Sequence, residues 1–236
     1  MLITAAVYYL FRRRLNTIRK EESLKQKIAA TEMMALRAQM NPHFIFNCIS
    51  SIGNFILGND KENASHYLNQ FAKLIRNILD NSKNDVIPFW KDWETLSFYL
   101  EIEKLRNNNS FICKMEADET LLNGHYKIPP LVIQPYIENA IHHGLRALKK
   151  QAGYFNHHSQ TQRGILEYRI EDNGIGREQA AASRYMHVTH QSYGMQLSRE
   201  RIELFNDQSG NSVTITDLKD DKGEASGTLV VVLLKV

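Results

Sequence analysis

One stretch of sequence decides the fold: Gln134-Pro-Tyr-Ile-Glu-Asn-Ala-Ile-His-His-Gly144. It lies within residues 131–145, whose apolar spacing predicts a helix opened by two consecutive prolines. The amide oxygen of Asn139 is a hard ligand suited to Mg²⁺, a cation that also takes the phosphates of a substrate. The neighbouring carboxylate of Glu138 can accept a proton. The stretch therefore predicts a helix that carries polar chemistry.

Two adjacent histidines, His142 and His143, follow within little more than one turn of the same helix. The two adjacent histidines are compatible with a zinc site. No HExxH motif or comparable ligand spacing accompanies them, however. Ordinary histidines of the core or the surface are a further explanation, and the residues alone leave these alternatives open.

A second constellation is Gln39-Met-Asn-Pro-His-Phe-Ile-Phe-Asn47, in a region with a helical pattern. At helical spacing His43 shares a polar stripe with amide and hydroxyl side chains. Pro42 either kinks this helix or starts a new one with Asn41 as its cap. An exposed imidazole beside such an irregularity is a good nucleophile near neutral pH. A solvated surface histidine is the alternative.

A third constellation, Glu171-Asp-Asn-Gly-Ile-Gly176, directly follows an alternating strand pattern. Asp172 at the strand end can accept a hydrogen bond from an exocyclic amine. Gly174 and Gly176 allow a backbone to pass close to a ligand. A plain β-turn explains the same residues, because Asn-Gly is a common turn dipeptide.

A fourth constellation is Ser192-Tyr-Gly-Met-Gln-Leu-Ser-Arg-Glu-Arg-Ile202. We expect Gly194 to open an amphipathic helix. The free N–H groups at a helix start form an anion site suited to phosphate.

Outward from these motifs, the chain divides into two halves. Residues 15–107 are predicted to be helical, with an apolar stripe of period close to 3.6 from Met33 to Phe55 and further stripes at 68–78 and 93–100. Such helices need a partner surface, and a dimer is the simplest one; a monomeric bundle is the alternative.

In the second half of the chain, strand patterns begin near 111, 166, 213 and 228, whereas 153–163 and 177–192 are predicted to be loops. The strands and intervening helices make the second half α/β or α+β, and the fold class predicted for the whole chain is α+β.

The composition excludes several classes of protein. The chain has 236 residues, 43% hydrophobic and 23% charged, which is ordinary for a globular protein and excludes a disordered, collagenous or disulfide-stapled one. A net charge of +3 over 236 residues does not indicate a basic surface that binds nucleic acid, so we expect no nucleic-acid partner. Cys48 and Cys113 lie in different predicted elements without a CxxC motif, which favours a reducing compartment.

The N-terminal residues 1–11, MLITAAVYYLF, carry no charge and are followed by three arginines. We interpret them as the cytoplasmic end of a truncated transmembrane helix, since basic residues flank membrane helices on the cytoplasmic side. A short apolar helix packed on the domain is the alternative. The expected location is the cell inner membrane, with the remainder of the chain in the cytoplasm.

Taken in order, the motifs resemble those of the LytS-type sensor histidine kinases, over residues 35–202. The blocks that carry the resemblance are Ala38-Gln-Met-Asn-Pro-His-Phe-Ile-Phe-Asn47, Tyr99-Leu-Glu-Ile-Glu-Lys-Leu-Arg106, Ile128 to Gly144, Asp172 to Gly176, and Tyr193-Gly194 through Arg201. The resemblance implies a helical dimerisation and phosphotransfer region at 15–108, after the membrane segment at 1–14. It also implies a GHKL-type α/β sandwich that binds ATP at 109–236.

The resemblance also implies a role for each site residue. His43 matches the phosphoacceptor, Glu138 the base, and Asn139 the Mg²⁺ ligand of the block called the N box. His142 matches a phosphate-facing position, and His143 is assigned to the ATP site with it. The remaining ATP-site residues implied by the resemblance are Asp172, which faces the adenine amine, Gly174, Gly176 and Gly194. Ser192 stands where many relatives have a further glycine.

The implied function is a sensor histidine kinase of a two-component system, with ATP and Mg²⁺ as cofactors. Such a homodimeric kinase would phosphorylate itself on His43 and transfer the phosphoryl group to a response-regulator aspartate. A non-catalytic GHKL-type nucleotide-binding or dimerisation module is the alternative. A GHKL ATPase of the chaperone or mismatch-repair kind is less suited, because such an enzyme has no use for an acceptor histidine there.

Overall fold

The structure is a computed structural model that describes residue 14 and residues 42–107, 110–145, 153–177, 189–207 and 211–236. The chain divides into two compact units, Met1–Ile45 and Phe46–Val236, and each is described by itself. In chain order the elements are α1 (Pro42–Leu57), α2 (Lys61–Asn81), β1 (Ile87–Pro88), α3 (Phe89–Arg106), β2 (Phe111–Ala117), α4 (Glu119–Leu122), β3 (Lys127–Ile128), α5 (Gln134–Asn139) with a π-helical turn (Ala140–Leu145), β4 (Gly153–Gln162), β5 (Ile165–Asp172), α6 (Thr189–Phe205), β6 (Val213–Lys219) and β7 (Ala225–Lys235).

The first half of the described chain is helical, as predicted. Helices α2 and α3 run antiparallel, tied by a buried hydrogen bond from Asn81 Nδ2 to Thr95 Oγ1 of 3.0 Å. The stripe predicted for α2 is rotated from the true buried face. Leu68 is 51% exposed, whereas Tyr67 and Leu74 are fully buried. The reason is that α2 packs on two sides, against Phe55 of α1 as well as against α3.

The second half contains a five-stranded mixed sheet in the order β2-β4-β5-β7-β6. Strands β2 and β4 are parallel and the other pairs are antiparallel. On β5 the alternating side chains Leu166, Tyr168 and Ile170 are buried, as their spacing predicts. Helix α3 covers this face, with the Phe89 ring 6.1 Å from that of Tyr168. Helices and a mixed sheet together confirm the α+β class.

The prediction of a loop at 153–163 is wrong, because Gly153–Gln162 forms strand β4 inside the sheet. Two of its inward positions, His157 and Ser159, are polar, and both are fully buried. The His157 ring lies 5.2 Å from Trp93 and 5.7 Å from Tyr168, measured between centroids. Burial disfavours the imidazolium and lowers the pKa of His157 to about 3. The neutral imidazole of His157 therefore occupies a buried position at which an alternating strand pattern would have an apolar residue.

Several sequence-based predictions lie outside the described residues. They include the N-terminal segment 1–11 and the part of the first apolar stripe before residue 42. Within the described ranges, no helix combines the length and the apolar character that a membrane span requires. Both cysteines are free thiols.

Candidate functional site

The helix that carries Glu138 and Asn139 begins later than its sequence predicts. Leu131 adopts a left-handed conformation with φ +61°, and its N–H donates to Asp92 Oδ1 over 2.9 Å. Helix α5 therefore starts at Gln134 rather than at residue 131. After Asn139 the backbone continues as a π-helical turn, a rare form that is often found at functional sites.

Glu138 lies half-buried on α5 and accepts a hydrogen bond from Gln134 Nε2 over 2.9 Å. Burial raises the pKa of this carboxyl, and the hydrogen bond from Gln134 and the charge of Arg106 partly oppose the shift. A raised carboxyl pKa is what a general base or acid near neutral pH requires. Asn139 is also half-buried, one residue before the π-helical turn.

His142 lies in that turn and faces the end of α3. Its Nε2 atom is 3.4 Å from Arg106 Nη2 and 3.8 Å from Glu103 Oε1. The neighbouring His143 belongs to the same turn, but its side chain lies outside the described part of the structure. Within the described residues, no group of three or more His, Cys, Asp or Glu side chains is placed to hold a metal ion.

Asp172 ends strand β5 and is 3% exposed. Its Oδ1 accepts from the N–H of Gly174 over 2.8 Å, and the N–H of Thr228 donates to the same carboxylate. Burial nevertheless raises the pKa of Asp172 to about 6. The carboxylate is held in a fixed orientation by backbone donors, as recognition of a single amine requires.

The backbone around Asp172 depends on two glycines. Gly176 has φ +75°, and a Cβ there would lie 2.9 Å from the Cβ of Ala225. Gly227, which the motifs did not reveal, has φ +138°, and a Cβ there would lie 1.8 Å from the carbonyl oxygen of Asp172. Gly227 sits at a register shift between β6 and β7. Its signal in the sequence is a lone glycine inside a strand pattern, which indicates a bulge or a close backbone approach.

Gly194 does not open its helix, so that prediction is wrong. Helix α6 begins at Thr189, five residues earlier, and the N–H of Gly194 therefore lies beyond the first helical turn. A Cβ at Gly194 would have no heavy atom within 4 Å among the described residues. A phosphate role for Gly194 stays a prediction.

His43 is the second residue of helix α1 as described, and its side chain lies outside the described part. The choice between a kinked and a new helix at Pro42 depends on Asn41, which is also outside it. His43 belongs to the unit Met1–Ile45, whereas Glu138, Asn139, His142 and Asp172 belong to the unit Phe46–Val236. Within that second unit, β5 and β4 both contact the π-helical turn that follows Asn139.

Sequence reasoning assigned no role to three charged residues of α3: Asp92, Glu103 and Arg106. The first two are fully buried, and the side chain of Arg106 is 7% exposed. Their positions are in line with Leu96 and Tyr99 on the apolar stripe of the helix. A charged residue in line with an apolar stripe is a signal of burial that the sequence already contains.

Comparison with known proteins places the motifs in a family. Residues 31–111 match the family model described as Histidine kinase. The Sensor protein LytS of Oceanobacillus iheyensis is 33% identical over 67% of this chain and 26% of its own length. The chain is a relative of the LytS-type sensor histidine kinases. The resemblance drawn from the motifs is thereby confirmed.

Two further matches are a curated protein and a solved structure. The Sensor histidine kinase YesM of Bacillus subtilis is 28% identical over 81% of this chain and 32% of its own length. The histidine kinase domain of a blue-light activated histidine kinase from Erythrobacter litoralis aligns over 70% of this chain and 74% of that one, with 13% identity and a TM-score of 0.42. The chain spans about a quarter to a third of the length of the curated relatives it matches.

Proposed function

We propose that this LytS-type chain is an ATP-dependent protein-histidine kinase that phosphorylates itself on His43. The observation that carries the proposal is Asp172, a buried carboxylate fixed by two backbone N–H groups at the end of β5. In the same unit, Asn139 and Glu138 lie together beside the π-helical turn. The order of these blocks after the His43 helix supports a kinase rather than another nucleotide-binding protein.

The residues present fit ATP and Mg²⁺. An amine that reaches Asp172 meets an acceptor whose orientation is already set, so little ordering is needed on binding. Asn139 offers one amide oxygen, and Mg²⁺ is commonly held by one or two protein oxygens together with waters and phosphates. When bound, Mg²⁺ would neutralise the charge of the phosphates. Among the described residues, no heavy atom lies within 4 Å of a Cβ at Gly194, which is compatible with the ATP-site role that the resemblance implies for this residue.

The chain's own groups would then supply positioning and proton transfer. The imidazole of His43 serves as the nucleophile, since its neutral form has a lone pair near neutral pH. Glu138, whose pKa is raised by burial, holds or accepts the proton that leaves the imidazole. His142 and His143 are assigned to the phosphates. Phosphoryl transfer requires little more than such positioning and charge neutralisation.

The decisive experiment is autophosphorylation with radiolabelled ATP and Mg²⁺. We expect label on the wild-type protein that is labile in acid and stable in alkali, as a phosphoramidate is. His43→Gln should abolish the label and leave ATP binding intact. His66→Gln is the matched control, because His66 is also a histidine on a helix of this region and is exposed to solvent.

The alternatives give different results. Label that persists on His43→Gln would assign the acceptor to another residue. ATP binding by the wild type without any label would favour the non-catalytic nucleotide-binding or dimerisation module. Transfer of the label from His43 to an aspartate of a receiver domain is the corresponding test of a two-component partner.

The proposed homodimer would form through the first helices. Phe46 and Ile49 of α1 are 69% and 55% exposed, which leaves apolar surface for a second copy. We expect Phe46→Glu together with Ile49→Glu to convert a dimer into a monomer in light scattering. A wild-type protein that is already monomeric would refute this arrangement.

We also propose attachment to the cell inner membrane through residues 1–11, with the kinase region in the cytoplasm. This proposal is supported by their uncharged sequence and the three arginines that follow. The full chain should sediment with anionic vesicles, and a chain beginning at Asn16 should not. Equal behaviour of the two proteins would contradict the proposal.

A further inference from the structure

The block Tyr99 to Arg106 has no role in the function proposed so far, although its last residues lie against the N box. Arg106 Nη2 donates to Glu103 Oε2 over 2.6 Å, and the carboxylate is fully buried. Asn107 Nδ2 donates to the same oxygen over 3.3 Å and to the backbone carbonyl of Glu103 over 2.7 Å. The end of α3 therefore holds the guanidinium of Arg106 through its Nη2 atom.

In the contact between Arg106 and His142, the donor and the acceptor can be assigned. A guanidinium has N–H donors and no acceptor, and it stays protonated in proteins. In the contact of 3.4 Å between Nη2 and Nε2, the ring nitrogen must therefore be the acceptor. A neutral histidine that accepts at Nε2 carries its proton on Nδ1.

The opposite arrangement, with a proton on Nε2 donated to Glu103, fits the distances less well. The separation between His142 Nε2 and Glu103 Oε1 is 3.8 Å, beyond hydrogen-bond length. Glu103 Oε2 is already occupied by Arg106 and Asn107. The geometry therefore favours the arginine as the partner of Nε2.

We propose that Arg106, held by Glu103, is a positioning residue that fixes His142 of the N box with Nε2 as acceptor and the proton on Nδ1. This inference rests on the proposed function, in which His142 serves the phosphates of ATP. A ring with a fixed tautomer carries its proton at one defined atom, so less ordering of His142 is needed when the nucleotide binds. The block Tyr99 to Arg106 thereby gains a role, as the support of the N box.

The first test reads the tautomer directly, by proton–nitrogen correlation spectra of ¹⁵N-histidine-labelled protein without nucleotide, recorded at about pH 8, where free imidazole is neutral. The His142 signal is assigned by its loss in His142→Gln. We expect the proton of His142 on Nδ1 in the wild type. Arg106→Gln should shift the signal toward the Nε2-protonated form, and Arg106→Lys, which keeps a cationic donor, should restore it in part.

The second test measures the affinity for Mg²⁺ and ATP on the same proteins. We expect Arg106→Gln to weaken binding roughly tenfold, the scale of one charge-assisted hydrogen bond. Lys104→Gln is the matched control, because it removes the same charge from the same turn of the same helix, two residues before Arg106. This control should keep both the tautomer and the affinity of the wild type.

Arg106→Gln alone also removes the cation that pairs with the buried carboxylate of Glu103, and such a change can unfold the protein. The pair Glu103→Gln with Arg106→Gln removes both charges, and we expect it to fold and to show the shifted tautomer. A wild-type His142 protonated on Nε2, or a tautomer unchanged in folded Arg106→Gln, overturns the inference. Failure of the wild type to bind ATP would instead refute the proposed function, and the nucleotide-free spectra would still decide the role of Arg106.

Discussion

The buried carboxylate of Asp172 predicts that adenine recognition weakens in mild acid. An ordinary aspartate stays ionised down to about pH 4. Burial, reinforced by the neighbouring charge of Glu171, raises the pKa of Asp172 to about 6, although two backbone N–H groups oppose the shift. Since only the ionised form is a pure acceptor for an exocyclic amine, binding should follow the ionised fraction.

The magnitude follows from this pKa. With a pKa of about 6, the ionised fraction is about 0.9 at pH 7 and about 0.1 at pH 5, so the affinity should fall about tenfold, or about 1.4 kcal/mol. The effect of pH on folding stability has the opposite sign to its effect on the affinity. Because the pKa is raised in the folded state, the stabilisation from this group is complete below the unfolded pKa and is lost as pH rises through about 6.

The assay is calorimetric titration with adenosine, which has no phosphate that titrates in this range. Asp172→Asn should weaken binding by roughly 10- to 100-fold, the cost of leaving a buried group unsatisfied, and should remove the dependence on pH. Glu171→Gln is the control: it should retain binding and move the midpoint to lower pH, because the charge of Glu171 raises the pKa of Asp172. An affinity that is constant from pH 5 to 8, or a pH dependence that survives in Asp172→Asn, would refute this reasoning.

Three further predictions concern metal binding and stability. Asn139→Ala should weaken ATP binding in the presence of Mg²⁺ and have little effect in EDTA; equal defects in the two titrations would exclude a metal role. Gly227→Ala should destabilise the protein by at least about 2 kcal/mol in urea unfolding, because its Cβ would overlap the carbonyl oxygen of Asp172. Gly53→Ala is the control and should not destabilise the protein, because a Cβ at Gly53 has no heavy atom within 4 Å among the described residues. The pKa of Asp92 is also raised to about 6 by burial, so this group alone should lower the free energy of unfolding by about 2–3 kcal/mol as pH rises from 4 to 8. Asp92→Asn should remove this part of the pH dependence and leave the part that comes from Asp172; an unchanged slope would contradict the assignment.

The parts of the fold that the sequence predicted are those in which burial alone sets the pattern. Strand β5 alternates apolar and polar residues because one face packs on α3 and the other does not. The stripe of Leu96 and Leu100 predicted the buried face of α3 for the same reason. Periodicity is informative where each inward position is apolar.

Two of the missed features have a common physical cause, a polar group that is buried inside the protein, and the third lies in a segment of weak periodicity. His157 is an inward residue of β4, but a polar residue at such a position cancels the alternation that identifies a strand. Leu131 was assigned to a helix, yet its N–H is held by a carboxylate 39 residues earlier, which no local pattern reveals. The start of α6 lay in a segment of weak periodicity, so Gly194 was given the place of a helix opener.

The charged residues of α3 also explain how the candidate site is tied to the helical region. Asp92, near the start of α3, holds the backbone of Leu131 just before α5 begins. Arg106, the last residue of α3, contacts His142 just after α5 ends. One helix therefore holds both ends of the segment that carries Glu138 and Asn139. Because the two contacts lie at opposite ends of α3, a displacement of this helix must carry the whole segment with it or break a buried polar contact, and the latter is costly.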